Sequence, residues 1–273
     1  MSERTHYPAG VPCWVDTLQP NPEAAKQFYG DVFGWEFIAP GQMPGTPPGK
    51  YFVAQLRGHD VAGIASQPEG VPASTAWNTH IAVDSVDATC AKILSTGGTV
   101  LVAPFDARPA GRMAVVSDPA GAVFCIWEAN DRRGAQLVNE PSAWAMNVLT
   151  TRDSEGAKRF YGEVFGWRTD TVEAGGTPIT LWRLPGYVGG EPQQPVPRDV
   201  VAVMVPPNAS TKHLPPHWSV DFWIDDVDRA AATAAKLGAN LIEPPRDTPG
   251  FRTCVLADPQ GAIFSLSQLT AFQ

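Results

Sequence analysis

Internal duplication is the feature that most constrains this chain. Residues 28–35 (FYGDVFGW) return 132 residues later, as residues 160–167 (FYGEVFGW). A second pair of phrases, residues 118–121 (DPAG) and 258–261 (DPQG), is separated by 140 residues. The repeat predicts two copies of one fold within 273 residues, each long enough to bury a core of its own. A residue that differs between the copies is therefore not dictated by the fold alone.

Each half of the chain reads as two similar units of a strand, a helix and further strands. In the first unit, Asn21 and Pro22 predict the start of a helix and Gly34 predicts its end. The second unit repeats this plan, with a strand over 80–83 and a helix over 85–95. We therefore predict an α+β fold of four βαβββ units, paired into two cupped mixed-sheet domains over residues 1–135 and 136–273.

Composition and charge limit the partners and the compartment. A net charge of −8 and a pI near 5.1 argue against nucleic acid and against anionic membrane as partners. The sequence shows neither an apolar run that could span a bilayer nor an export signal. Its 4 cysteines have no paired spacing, which favours reduced thiols. We expect a cytoplasmic protein, as a monomer or a homodimer.

The duplicated phrases also carry a family resemblance. Together with the Val-Asp pairs that open the second helix of each half, at 86–87 and 227–228, they resemble the vicinal oxygen chelate superfamily. This superfamily comprises glyoxalase I, bleomycin-resistance proteins and extradiol dioxygenases, and the resemblance is greatest to its two-domain actinobacterial glyoxalase-like/hydroxylase branch. The resemblance implies that two units form one cupped sheet whose concave face holds a ligand or a metal. Each half should then contain one cup.

The same resemblance allows the metal positions to be tested. Metal-dependent members take His, Gln or Glu ligands from the first and last strands of each unit. Alignment on the duplicated phrases places at those positions Trp14, Cys125, Met146 and Ser265. Only His80 and Asp221, which are counterparts in the two halves, could act as ligands on the first strands of units two and four. Since a tight divalent site needs three or more suitable ligands, we expect no metal and no cofactor.

Strand alternation predicts which side chains share the concave face of the first cup. These are Trp14, Asp16, His80, Cys125 and Trp127. An imidazole beside a carboxylate in an apolar bowl suits general acid–base catalysis, so His80 and Asp16 are candidate catalytic residues. We expect the other three to contact the ligand. A hydrogen-bonded structural role for His80 and Asp16 is the alternative.

In the second cup, Asp221 is the third candidate catalytic residue. A carboxylate in an apolar bowl is costly unless it is paired or bound to something. The predicted ligand contacts around it are His217, Ser219 and Trp223 on its own strand, with Met146 and Ser265 opposite. Arg112, the counterpart of Arg252, either clamps an anionic ligand or forms a salt bridge near the Asp-Pro-x-Gly turn.

Three functions fit these residues. The first is a metal-independent enzyme that isomerises, cyclises, eliminates from or hydrates a bulky, partly aromatic natural-product intermediate. The second is a protein that sequesters an antibiotic by tryptophan stacking, without turnover. The third is a metal-dependent lyase or dioxygenase whose ligands the alignment misses.

Overall fold

The computed structural model describes residues 3–43, 49–68, 76–174, 176–189 and 196–270. Two Pro- and Gly-rich stretches typical of turns, 40–49 and 185–197, lie partly outside these ranges. The first half contains β1 (Pro12–Gln19), α1 (Pro22–Phe33), β2 (Glu36–Phe37), β3 (Gly41–Met43), β4 (Gly49–Leu56), β5 (His59–Ser66), β6 (Trp77–Ala82), α2 (Val86–Ser95), β7 (Thr99–Ala107), β8 (Gly111–Ser117) and β9 (Val123–Ala129). The second half contains β10 (Trp144–Thr150), α3 (Ser154–Phe165), β11 (Arg168–Ala174), β12 (Thr177–Arg183), β13 (Val200–Val205), β14 (His217–Trp223), α4 (Val227–Lys236), β15 (Asn240–Thr248), β16 (Phe251–Ala257) and β17 (Ile263–Leu269).

The duplicated helices α1 and α3 begin and end at equivalent residues. The side chain of Asn21 accepts a hydrogen bond from the backbone of the first turn of α1, as the side chain of Asp153 does for α3. Both helices end at a glycine in the left-handed region, Gly34 with φ 73° and Gly166 with φ 74°. The predicted helix limits are thus confirmed. Among the described residues, no helix is long and apolar enough to cross a membrane.

Each half contributes one mixed sheet. The strand order is β2-β4-β5-β1-β6-β9-β8-β7 in the first sheet, with β3 paired to β4. In the second sheet it is β11-β12-β13-β10-β14-β17-β16-β15. The first strands of paired units, β1 with β6 and β10 with β14, run antiparallel at the centre of each sheet. This confirms the predicted α+β fold with two cupped sheets.

The helices exchange partners between the halves. Phe28 of α1 packs edge-to-face against Phe264 of β17, with ring centroids 6.5 Å apart. Phe160 of α3 packs in the same way against Phe124 of β9, at 6.4 Å. One hydrophobic core therefore joins units one and four, and the other joins units two and three. The domain limits 1–135 and 136–273 stay a prediction: a cut at 135/136 separates the sheets but leaves both cores shared.

Hydrogen bonds between the two duplicated phrases stabilise the packing of each helix against the opposite half. The Tyr29 hydroxyl donates to Asp258 Oδ2 at 2.9 Å, and the Tyr161 hydroxyl donates to Asp118 Oδ2 at 3.2 Å. Each tyrosine thus binds the Asp-Pro-x-Gly turn of the opposite half. The phrases that revealed the duplication are consequently scaffold, and they hold the backs of the two sheets together while the concave faces point away.

Candidate functional site

Equivalent rows of side chains cross the concave faces of the two sheets. In the first sheet the row consists of Trp14, His80, Cys125, Val115 and Val102. In the second sheet it consists of Met146, Asp221, Ser265, Val255 and Glu243. His80 and Asp221, which sequence alignment makes counterparts, thus occupy the same place in the two cups.

The first cup contains a buried polar network around Asp16. His80 Nε2 lies 3.2 Å from Asp16 Oδ2. The Tyr51 hydroxyl donates to the same oxygen at 3.0 Å, and Asn78 Nδ2 donates to Oδ1 at 2.9 Å. Trp14 Nε1 in turn donates to the Tyr51 hydroxyl at 2.7 Å. Both carboxylate oxygens therefore have partners.

Electrostatics keep this network charged. Burial by itself raises the pKa of Asp16, but the charge and contact of His80, with the hydrogen bonds from Asn78 and Tyr51, outweigh it and lower the pKa. Burial, followed by the nearby charge of Asp16, raises the pKa of Tyr51 well above its usual value. Asp16 is therefore ionised at neutral pH and Tyr51 is neutral. Because His80 is only 2% exposed and Asp16 only 6%, the pair is largely removed from solvent.

A glycine makes room for the network. Gly63 of β5 is the register partner of Asp16. A Cβ atom on Gly63 would lie 2.2 Å from the Tyr51 hydroxyl and 2.9 Å from Asp16 Cβ. Sequence reasoning missed Tyr51 and Gly63, although a glycine within the apolar run 61–64 is a signal of close approach.

The other predicted residues of the first cup lie on its concave face but are largely covered. Trp127 is 8% exposed, and its Nε1 donates to the carbonyl of Arg132 at 2.9 Å. Cys125 is also buried, and burial raises the pKa of its thiol well above the usual value. Cys125 is therefore a neutral thiol that packs, not a nucleophile.

The second cup leaves its carboxyl group accessible. Asp221 is half-buried, and Ser267 donates a hydrogen bond to its Oδ2. Burial raises the pKa of Asp221 to about 6, against a smaller lowering by hydrogen bonds from Ser267 and Ser265. Within the described residues, no cationic side chain contributes to this shift. Asp221 therefore titrates close to neutrality, where a general acid or base is most effective.

The residues predicted around Asp221 lie where alternation places them. His217, Ser219 and Trp223 are half-buried on the concave face of β14, and the residues between them are buried. Met146 and Ser265 are the register partners of Asp221 on the two neighbouring strands. The structure thus brings all the predicted residues of the second cup to one surface.

A segment over residues 206–216, which we call the strap, reaches across the second cup. It connects the end of β13 to the start of β14. Asn208 Nδ2 in the strap donates to Glu243 Oε1 on the edge strand β15 at 2.9 Å. Arg152 donates to the carbonyl of Lys212 and holds the other end. Asn208 and Glu243 were not predicted, because neither side chain stands out in the sequence.

Arg112 is not part of either cup. Its register partner is Glu128, on the face of the sheet that carries α2. Its guanidinium donates to Asp106 at 3.0 Å and to Asp87 at 3.1 Å. The structure therefore places Arg112 away from the ligand-clamping position, because alternation along β8 turns it to the helical side. The salt-bridge alternative fits this geometry.

The donors in the two rows do not fit a divalent metal ion. The first row offers one imidazole, already paired with Asp16, and a neutral thiol. The second row offers Asp221 beside a methionine and a serine, with a second carboxylate, Glu243, on the edge strand, where it accepts a hydrogen bond from Asn208. Within the described ranges, no group of three or more His, Cys, Asp or Glu side chains is placed to hold a metal ion. Such donor sets fall short of the three or more ligands that a tight site needs.

Comparison with known proteins identifies the family. The family model described as the glyoxalase-like domain matches residues 14–127 and again residues 146–267. The chain belongs to the glyoxalase-like domain family. The two matches coincide with the two sheets, and they confirm the resemblance to the vicinal oxygen chelate superfamily.

Relatives match this chain over nearly the full length of both proteins. The CFP32 protein of Mycobacterium tuberculosis is 40% identical over 271 residues, covering 97% of both chains. The anthracycline biosynthesis protein DnrV of Streptomyces peucetius is 30% identical over 277 residues, covering 97% of this chain and 95% of that protein. The crystal structure of the Mn(II)-bound glyoxalase from Novosphingobium aromaticivorans matches with a TM-score of 0.62 at 18% identity, over 95% of this chain and 82% of that one. At this identity the last match shows the fold alone.

Proposed function

We propose that this glyoxalase-like protein is a metal-independent enzyme of natural-product metabolism, with its active site in the second cup. Asp221 is the acid–base group, and it moves a proton on a bulky, partly aromatic substrate. The observation that carries the proposal is a half-buried carboxyl group, without a cation beside it, whose pKa of about 6 matches proton transfer at neutral pH. His80 and Asp16 have a structural role in the first cup, because they are buried and bound to each other.

The surroundings of Asp221 support a ligand of this class. Met146 and Trp223 supply apolar and aromatic surface beside it, and Ser219 and Ser265 supply hydroxyl groups. The similarity to the anthracycline biosynthesis protein DnrV favours a polycyclic aromatic polyketide. At pH 7 and above Asp221 is mostly ionised, so it acts as the base that removes a carbon-bound proton made acidic by a conjugated carbonyl group.

Proton exchange on a model substrate tests this role. Anthrone carries an acidic methylene group next to its aromatic rings, and deuterium exchange there can be followed by NMR. We expect the purified protein to catalyse the exchange, with a rate that rises with pH through about 6. Asp221→Asn should lower the rate by about 100-fold or more. Asp247→Asn, which neutralises a carboxylate on the helical side of the same sheet, is the matched control and should retain most of the rate.

Binding measurements separate an enzyme from a sequestering protein. A hydroxyanthraquinone such as quinizarin should bind wild type and Asp221→Asn with similar affinity. Tight binding without exchange would support the sequestering function instead, and the absence of both would overturn the proposed ligand class. Retained metal whose removal abolishes exchange would overturn the metal-independent mechanism.

A further inference from the structure

A small cleft lies at the junction of the two halves, next to the second cup. Its volume is about 50 Å³. It lies between the N-terminal segment, the start of β10 and residues 187–189 and 196–201. Its walls include Tyr7, Val11, Trp144, Met146, Tyr187 and Val201. Since one water molecule needs roughly 10–15 Å³ of such volume, the cleft admits on the order of three or four heavy atoms.

The cleft and the row that contains Asp221 share one residue. Met146 lines the cleft and is also the direct register partner of Asp221 on the adjacent strand. Side chains at directly opposed positions of antiparallel strands lie roughly 5 Å apart. Met146 is therefore the structural link between the cleft and the proposed acid–base residue.

An unpartnered hydrogen-bond donor lies in the wall of the cleft. Trp144 is only 6% exposed, and its Nε1 has no hydrogen-bond partner among the described residues. Buried indole N–H groups are usually hydrogen-bonded, since leaving one unpaired is unfavourable. A ligand oxygen would supply the missing acceptor.

A positive charge lies near the same cleft. Burial raises the pKa of both Tyr7 and Tyr187, and the nearby charge of Arg4 acts in the opposite direction on each. Arg4 Nε is buried and lacks a hydrogen-bond partner within the described part of the chain. The electrostatic environment of the cleft thus favours an oxygen that carries negative charge.

We propose that the junction cleft is a binding subsite for a compact carbonyl-bearing group, a carboxylate or a methyl ketone, whose oxygen accepts a hydrogen bond from Trp144 Nε1. This proposal rests on the proposed function, because the remainder of the ligand would be the substrate of Asp221. Met146, which lines the cleft and neighbours Asp221, would lie between the two parts of that ligand. The cleft then selects substrates that end in such a group.

Small probes test the subsite without the full substrate. In ¹⁵N-labelled full-length protein, the Trp144 indole signal is assigned by its loss in Trp144→Phe. Titration with acetate or acetone should shift that signal saturably, with roughly millimolar affinity, whereas sodium chloride at equal ionic strength should not. Because of the charge of Arg4, acetate should bind more tightly than acetone, and Arg4→Gln should remove that preference. A preference that persists in Arg4→Gln would overturn the electrostatic part of the proposal.

Two variants decide whether the probes bind in the cleft. Ala145→Leu fills it and should abolish saturation while the other indole signals keep their positions. Trp144→Phe keeps an aromatic ring but removes the N–H donor. The Met146 methyl signal should then report at least tenfold weaker binding of acetate and acetone. Saturation that survives either change, or no saturable shift in wild type, would overturn the proposal. Asp221→Asn should leave probe binding within twofold, so failure of this subsite and failure of the proposed catalysis are distinguishable.

Discussion

The two cups share a scaffold but place their carboxylates in opposite environments. Asp16 in the first cup lies on β1, where it receives hydrogen bonds and contacts His80. Asp221 in the second cup lies on β14, and its polar partners among the described residues are serine hydroxyls. The pKa is consequently lowered for Asp16 and raised for Asp221. The surroundings, and not the residue type, decide whether a carboxylate stabilises the fold or remains available for proton transfer.

Sheet register shows why the second cup cannot form the polar network of the first. The second sheet carries apolar residues where the first has its polar network: Val148, Val203 and Ile179 stand at the positions of Asp16, Gly63 and Tyr51. At these three positions the second cup therefore offers no side-chain donor like those that bind Asp16. Its central row is half-buried, whereas Trp14, His80 and Cys125 are each below 5% exposed. The duplication has left one cup whose central row is buried and one whose central row is partly exposed.

The largest expected effect comes from breaking the polar network in the first cup. Asp16→Asn turns one carboxylate oxygen into an amide donor, which leaves a buried donor of Tyr51 or Asn78 without its acceptor, and it should lower the free energy of unfolding at neutral pH by about 3 kcal/mol. Urea denaturation measures the change. The same substitution in the other cup, Asp221→Asn, is the matched control and should cause no loss. Equal losses for the two variants would contradict the assignment of different roles.

The second prediction is that removing the carboxylate of the second cup raises the free energy of unfolding instead of lowering it. Since the pKa of Asp221 is raised to about 6, the folded protein holds this proton more tightly than the unfolded chain does. The stabilisation is complete below the unfolded pKa of 3.8 and is lost as pH rises through about 6. Asp221→Asn should therefore stabilise the protein by about 2 kcal/mol at ~pH 8 and by almost nothing at ~pH 4.

Unfolding free energies over this pH range give the measurement. Asp16 has a lowered pKa, so its contribution has the opposite slope: it is present above the unfolded value and is lost as pH falls through the folded one. A stabilisation by Asp221→Asn that does not change with pH would show that the carboxyl group is not desolvated.

A smaller loss of unfolding free energy is expected when the space that Gly63 leaves for the polar network of the first cup is filled. Gly63→Ala places a methyl group against the Tyr51 hydroxyl and should cost about 1–3 kcal/mol. In a Tyr51→Leu background the same change should cost less than half as much, because the hydroxyl it displaces is gone. Thermal or urea unfolding of the four proteins in this double-mutant cycle measures the coupling. Additive effects would mean that Gly63 does not act through Tyr51.

The sequence predicted the concave faces well, because alternation along a strand depends only on local order. Asp16 with His80, and Asp221 with Ser265, were placed together in this way. It could not predict that Tyr51 completes the first network, since that contact depends on the register between β4, β5 and β1. Nor could it predict the helix exchange, because the apolar pattern of α1 is satisfied equally by either sheet.

Arg112 gives the smallest effect and tests the assignment of faces directly. Its ion pairs with Asp106 and Asp87 are partly exposed and screened by solvent, so Arg112→Gln should change the free energy of unfolding less than any of the substitutions above. Quinizarin affinity should stay within twofold, because the guanidinium lies on the helical side of the first sheet. Arg252→Gln, which removes the equivalent ion pairs with Asp228 and Asp247, should behave alike. A tenfold loss of affinity confined to Arg112→Gln would place the ligand at the first sheet, and the roles assigned to the two cups would then have to be reversed.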